Sequence, residues 1–158
     1  MPIETTNISA RTHPTVAQAV YQCVAETAVT TMMAQNFHWN VTGMAFGPLH
    51  ALFQESYEDH FQAQDELAER IRSMGHTVDG RLSAMMDVSK VVEDPEGFRK
   101  NDKEMIITLA EAQTTLAATL AGTSDIAAAN GDKLTEDLCV ERGRAHEKFA
   151  WLLQSHVN

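Results

Sequence analysis

Two histidines and three oxygen-bearing side chains between positions 38 and 69 have the types and spacing of metal ligands. His50 and Gln54 are four residues apart, which places them on one face of a helix. Asp65 and Glu69 have the same spacing and form a second pair. His38 lies near the end of the preceding helical pattern. Because imidazole and carboxylate groups bind divalent metal ions, we predict a metal site built from these residues.

The two pairs are too far apart on one helix to bind the same ion. Positions 54 and 65 are eleven residues apart, about 16 Å of helix, whereas metal–ligand bonds are about 2 Å long. In two antiparallel helices related by a twofold axis, facing positions have a constant sum of residue numbers, and 50 with 69 has the same sum as 54 with 65. We therefore predict identical sites at a dimer interface, where the first pair of one subunit faces the second pair of its partner and His38 adds an imidazole.

The same residues also have an ordinary structural explanation. Asp65 and Glu69 could pair with the neighbouring Arg70 and Arg72 or could simply face solvent. Spacing alone does not separate this explanation from the metal site.

The composition favours one helical domain in an acidic protein. The chain has 158 residues, of which 44% are hydrophobic and only 6% aromatic, enough for one core without long β-branched runs. Its net charge of −10 argues against broad nucleic-acid binding and favours the attraction of cations. No apolar run approaches the roughly 20 residues that span a bilayer, and no signal layout precedes the domain. We therefore expect a cytoplasmic protein without membrane contact.

The two cysteines favour a reducing environment. Cys23 and Cys139 lie among apolar neighbours in helical patterns and lack CxxC spacing. We expect both to be small buried residues rather than a disulfide or a zinc site.

Hydrophobic periodicity and turn residues predict an all-α fold. A flexible N-terminal arm over 1–11 precedes a single domain over 12–158. The expected bounds are 12–15 to about 41 for helix A, 48 to about 74 for helix B, 82–86 for a short helix, 101 to about 130 for helix C, and 132 to the last residues for helix D. Short A–B and C–D connections with a long crossover between B and C predict a ferritin-like four-helix bundle with a short extra helix in that crossover.

Apolar residues at helical spacing predict the buried stripes of the bundle, and these stripes include Met32 in helix A and Leu134 in helix D. Bundles of this kind that bind metal within one subunit use Glu-x-x-His motifs on two helices, and the chain has no such pair. We therefore expect an apolar interior and interpret His60 and His76 as surface residues.

Several segments resemble the signature of the Dps family, the mini-ferritins or starvation-induced DNA-protecting proteins. They are FHWNV at 37–41, Gly43, Leu49-His50, Phe53, DELAERI at 65–71, HEK at 146–148 and WLL at 151–153. The resemblance covers residues 14–156. It implies a hollow homo-dodecamer of ferritin-like subunits that oxidises Fe(II), preferentially with hydrogen peroxide, and stores the Fe(III) mineral. It also implies a ferroxidase site between two subunits, which agrees with the spacing argument.

By this resemblance, His38 and His50 are iron ligands from one subunit. Asp65 and Glu69 are ligands from the neighbouring subunit. Gln54 departs from the family pattern, in which an acidic residue is common at this position. Because an amide oxygen is neutral and hard cations gain from charged oxygen ligands, we expect a weaker second iron position or a water-bridged variant.

Trp39 follows His38 directly and has two interpretations of equal weight. The resemblance implies a residue that absorbs a stray oxidising equivalent during iron oxidation. An aromatic side chain at a helix end could equally fill the dimer interface.

Acidic residues in the middle of helix B are candidates for mineral nucleation on the inner wall of a shell. They are Glu55, Glu58 and Asp59. Glu58 also lies one turn after Gln54 and could compensate for the neutral amide.

Acidic residues at the start of helix D are implied by the resemblance to line threefold pores through which iron enters. They are Asp132, Glu136, Asp137 and Glu141. A solvated helix face favoured by the helix dipole would have the same pattern.

Two alternative functions stay open at this point. A DNA-compacting protein would need cations for phosphate contacts, but the arm has only Arg11 and the chain ends in SHVN, so direct DNA binding is not expected. A metal-sequestering shell with weak ferroxidase activity would suit the neutral Gln54.

Overall fold

Five α-helices and one 3-10 turn account for the regular structure of residues 15–158, which the computed structural model describes. The arm expected over 1–11 lies outside the described residues. The bounds are Val16–Asn40 for α1, Phe46–Ser73 for α2, Leu82–Val88 for α3, Gly97–Arg99 for the 3-10 turn, Asp102–Ala129 for α4 and Lys133–Gln154 for α5. The described part contains no strand, so the predicted all-α bundle with a short helix in its crossover is confirmed.

The four long helices pack as two hairpins, α1 with α2 and α4 with α5, and α1 joins the hairpins through α4. The α1–α2 hairpin matters for function because it brings His38 and His50 together. Gly43, in its turn, has a φ of +104°, and a Cβ there would lie 3.2 Å from the Asp102 carboxylate. Both features favour glycine at this position.

Side-chain caps begin three of the helices. Asn101 and Glu104 form the predicted reciprocal capping box at the start of α4. Thr15 and Gln18 form a second capping box at α1. Asp132 accepts a hydrogen bond from the Thr135 amide at the start of α5, as predicted.

Two of the predicted core residues are wrong. Met32 is 46% exposed while Met33 is buried, and Leu134 is 72% exposed while Thr135 is buried. Successive residues of a helix are rotated by about 100°. In each case the buried stripe therefore passes through the next position.

Both cysteines are buried and free, as predicted. The Cys23 sulfur lies 3.3 Å from the Thr123 hydroxyl. Burial raises the pKa of the Cys139 thiol to about 12. The thiols are therefore protonated at neutral pH and unreactive, since the thiolate is the nucleophile.

The prediction of an apolar bundle interior is also wrong, because a polar cluster lies between α2, α4 and α5. Its members are Ser56, Asp59, His60, Gln113, Arg142 and His146, of which all but the half-buried Asp59 are buried. His60, interpreted above as a surface residue, is fully buried. It lies seven residues from both Phe53 and Leu67, so it belongs to the buried stripe of α2.

Hydrogen bonds connect the cluster across the three helices. Arg142 donates to both Asp59 oxygens at 3.2 and 2.6 Å, and His60 Nδ1 donates to Asp59 at 2.9 Å. The Gln113 amide donates to His60 Nε2, and its oxygen accepts from His146 Nδ1, both at 2.7 Å. Buried polar groups are tolerated when they are paired in this way.

Replacing Gln113 with Leu is expected to destabilise the protein, because His146 Nδ1 loses its acceptor and His60 Nε2 loses one of its two donors. Each unsatisfied buried polar group costs about 1–3 kcal/mol, and urea unfolding measures the loss. The control is Thr114→Val, an exposed change next to it on α4, which should stay within about 0.5 kcal/mol. Equal losses for the two variants would contradict the role given to Gln113.

Candidate metal site on the α1–α2 hairpin

His38 and His50 hold each other in place across the hairpin. His38 lies in the last turn of α1 and His50 in the first turns of α2. His38 Nδ1 is 2.8 Å from the His50 carbonyl, and His50 Nδ1 is 2.8 Å from the His38 carbonyl. A carbonyl only accepts, so each Nδ1 carries the proton and donates. In the neutral imidazole, the form that binds metal, each Nε2 is then the nitrogen left for a ligand bond.

Aromatic neighbours fix the planes of the two imidazoles. The rings of His38 and His50 stack with centroids 3.7 Å apart and planes 19° from parallel. Phe46 stacks on the other side of His50 at 4.9 Å, and Tyr57 meets the His38 ring edge-on at 5.3 Å. The sequence analysis did not predict that either aromatic belongs to the site. Their spacing was the available signal, because Phe46 lies four residues before His50 and Tyr57 seven after it.

Gln54 lies one turn after His50 and is exposed. Its amide nitrogen donates to the Glu58 carboxylate at 2.8 Å. Glu58 is therefore held close to Gln54, and Gln54 keeps a free carbonyl oxygen as its potential ligand atom.

Asp65 and Glu69 are exposed on α2 and distant from the imidazoles. Because α2 is unbroken from Phe46 to Ser73, the eleven residues between positions 54 and 65 keep about 16 Å between the pairs. Within residues 15–158 of one chain, no three His, Cys, Asp or Glu side chains are grouped to hold a metal. One subunit thus presents the two halves of the candidate site separately.

The arginines that could have paired with these carboxylates have other partners. Arg70 donates to Asp132 at 2.9 Å and to the Thr135 hydroxyl at 2.8 Å. Arg72 donates to the His76 carbonyl at 2.9 Å. Asp65 and Glu69 are therefore left exposed to solvent in the single chain.

Trp39 is 62% exposed beside His38. Together with Met32, Met86 and Phe98 it lines an apolar groove of 540 Å³ between the end of α1 and the crossover. Either of the two interpretations of Trp39 suits this position.

The three predicted nucleation residues differ in their freedom. Glu55 and Glu58 are exposed, whereas Asp59 is bound to Arg142 and His60. Burial raises the pKa of Asp59, but the hydrogen bonds from His60 and Arg142 lower it by more. The pKa of Asp59 is therefore well below its usual range. Asp59 is charged, but its charge is directed into the bundle.

Among the predicted pore residues, Asp132 is engaged within the subunit. Its carboxylate accepts from Arg70 and from the Thr135 amide and hydroxyl. Burial raises the pKa of Asp132, but Thr135 and Arg70 lower it below its usual range. The remaining three are free of such partners in the described chain, with Glu136 half-buried and Asp137 and Glu141 exposed.

A family model described as Ferritin-like domain matches residues 18–158, nearly the whole chain. This chain belongs to the ferritin-like family. The DNA protection during starvation protein of Helicobacter pylori is 30% identical over 133 residues, which cover 84% of this chain and 92% of that protein. DNA protection during starvation protein 2 of Bacillus anthracis is 28% identical, with 90% and 97% covered. The resemblance to Dps proteins is therefore confirmed.

Solved structures of Dps proteins share the fold. The crystal structure of Dps from Staphylococcus aureus has a TM-score of 0.86 and 31% identity, and covers 90% of this chain and 95% of that chain. Dps from Vibrio cholerae, titled a member of a broad superfamily of ferritin-like diiron-carboxylate proteins, has a TM-score of 0.84 and 26% identity, with 90% and 89% covered. In the described part of this ferritin-like chain, no helix is long and apolar enough to cross a membrane.

Asp132→Ala is expected to destabilise the subunit by about 1–2 kcal/mol, because α5 loses its N-cap and Arg70 loses one of its partners. Asp137→Ala is the matched control on the same helix, and its exposed side chain should change stability by no more than about 0.5 kcal/mol. Urea unfolding of both variants measures the difference. Equal stability of the two would mean that Asp132 is free for another role.

Proposed function

We propose that this chain is a ferroxidase subunit that binds Fe(II) between two subunits, oxidises it with hydrogen peroxide and stores the Fe(III) mineral in a hollow dodecamer. Membership of the ferritin-like family and similarity to Dps proteins support an iron-related protective role. The observation that carries the finer proposal is the reciprocal bonding of His38 and His50. It fixes both rings and leaves each Nε2 for a metal, as carbonyl-anchored imidazole ligands commonly do.

The outer face of α2 supports a shared site. Positions 50, 54, 57, 61 and 65 follow the helical repeat, so Tyr57 and Phe61 lie on the same face as the metal residues. Phe61 is 72% exposed and lines a groove of 470 Å³ with the exposed Leu82. Large exposed apolar side chains favour contact with another protein. A second antiparallel α2 against this face would cover Phe61 and bring the partner's carboxylates to His50.

Iron and peroxide are the substrates in this proposal. Two Fe(II) ions each lose one electron, and one hydrogen peroxide molecule takes both electrons and two protons. Its O–O bond breaks and two water molecules form. Because both electrons enter one peroxide, no hydroxyl radical is released. Neutral imidazoles and charged carboxylates together stabilise the increase in charge on the irons.

Trp39 and the acidic residues complete the proposal. Trp39, next to His38, would supply a single electron when only one iron is bound at the site. Exposed Glu55 and Glu58 would bind Fe(III) on the inner wall and nucleate the mineral. Glu136, Asp137 and Glu141 would attract Fe(II) at the pores, while Asp132 positions the start of α5.

Mixing two inactive variants tests whether the site is shared. His50→Ala and Asp65→Ala assemblies should each oxidise Fe(II) no faster than free iron. In a mixed dimer, one site loses both residues and the other is intact. Subunits unfolded together and reassembled at equal amounts should therefore regain about a quarter of the wild-type rate. The measurement is anaerobic oxidation on adding peroxide, followed by Fe(III) absorbance.

The control for reassembly is wild-type protein taken through the same unfolding and refolding. Mixed subunits with no activity beside an active control would show that all the ligands come from one chain. A ratio of two Fe(II) per peroxide in the active samples is part of the expected result.

Gln54→Glu is expected to raise the number of irons bound per site toward two, because a carboxylate replaces a neutral amide oxygen. Anaerobic Fe(II) titration before peroxide is added measures the stoichiometry, and the oxidation rate should rise with it. Gln154→Glu, at the exposed end of α5, adds the same charge elsewhere and should leave both unchanged. If Gln54→Glu behaves like Gln154→Glu, the amide does not limit the second iron.

The relatives that are DNA protection during starvation proteins raise DNA protection as a second function. Removing Fe(II) and peroxide together would protect DNA without contact with it. The chain has 12 Lys and Arg against 22 Asp and Glu, and phosphate contacts need cations. Direct DNA binding is therefore not part of this proposal.

A further inference from the structure

His146 lies at the centre of the polar cluster inside the bundle and is fully buried. Its Nδ1 donates to the Gln113 oxygen on α4 at 2.7 Å. Its Nε2 faces the guanidinium of Arg142, one turn earlier on α5, at 3.5 Å. The ring of His60 on α2 lies 4.6 Å away, centroid to centroid. His146 thus contacts groups from all three helices that form the cluster.

The hydrogen bonds of the cluster form a closed circuit with neutral imidazoles. Arg142 donates to Asp59, and His60 donates to Asp59 from Nδ1. Gln113 donates to His60 Nε2 and accepts from His146 Nδ1. Arg142 closes the circuit at His146 Nε2. Each member has the one protonation state that its neighbours can satisfy.

We propose that His146 is a proton-operated latch of the bundle, closed when its imidazole is neutral and opened when it is protonated. A second proton on His146 would be carried by Nε2. That nitrogen faces a guanidinium, which has only N–H donors and a positive charge. Protonation therefore places two cations together in a buried layer and leaves the new N–H without an acceptor.

On balance, the surroundings of His146 favour its neutral form. Burial lowers the pKa of His146 well below its usual value, and His60 and Arg142 lower it further, while Asp59 raises it. An unfolded chain takes up the proton as pH falls through about 6.5, whereas the folded chain does not until much lower pH. Stability is therefore full above this range and is lost as pH falls below it.

Opening the latch would loosen α5 from α2. Arg142 and His146 are both on α5, and their partners Asp59, His60 and Gln113 are on the other two helices. Among the described residues, the other hydrogen bonds between α2 and α5 lie at the start of α5, where Arg70 donates to Thr135 and Asp132. Acid would thus act on the layer beneath the outer face of α2, independently of any metal.

The test compares the assembled wild type with His146→Gln and His156→Gln by urea unfolding from pH 7.5 to pH 5.0. Glutamine retains a donor and an acceptor but does not titrate, and His156 is an exposed histidine. The unfolding equilibrium constant of the wild type and of His156→Gln should rise by up to about 30-fold more than that of His146→Gln. Parallel pH profiles for all three proteins would overturn the proposal.

If His146→Gln fails to assemble, hydrogen exchange of the wild type tests the latch instead. After correction for the intrinsic exchange rate, amides of residues 142–150 should lose protection at pH 5.5 relative to pH 7.5. Amides in the middle of α1 should keep theirs. Equal protection of residues 142–150 at the two pH values would overturn the latch.

Discussion

The unbroken course of α2 is the constraint on which the rest of the candidate site depends. An unbroken helix of 28 residues keeps positions 50 and 54 apart from positions 65 and 69, so these two pairs never meet within one chain. The other elements serve to present these pairs outward. The α1–α2 turn brings His38 onto His50, and the bundle behind α2 keeps the helix in place. Any function that uses both pairs has to be a property of two chains.

The two faces of α2 divide the chemistry of the protein. The outer face has the candidate ligands His50 and Asp65, with the aromatic Tyr57 and Phe61 between them along the repeat. The inner face has His60 in a closed hydrogen-bond circuit with Gln113 and the Arg142–Asp59 pair. His50 and His60 have different roles because His50 is only half-buried and His60 is fully buried. An accessible Nε2 can bind a metal, whereas one satisfied by buried partners cannot.

The helices could be predicted from sequence because they follow local repeats, and the same repeats place the candidate ligand pairs on α2. Asn101 and Glu104, which are only three positions apart, mark the start of α4. The spacing from His50 to Glu69 requires only the geometry of a helix. The ion-pair partner of Asp59 could not be predicted, because Arg142 is 83 residues away in the sequence. The reciprocal histidine bonds depend on the shape of a five-residue turn. The burial of His60 could have been predicted, since its seven-residue spacing from Phe53 and Leu67 marks a buried stripe.

The proposed division of the ligands between two subunits also has a consequence for biosynthesis. A newly made subunit would have two incomplete half-sites about 16 Å apart, and neither could catalyse redox chemistry alone. Activity would appear only when subunits meet, together with the enclosed space that receives the product. At high dilution it would fall with the square of the subunit concentration, because each site needs two chains. Iron oxidation would thus be absent wherever no assembled shell is present to store the mineral.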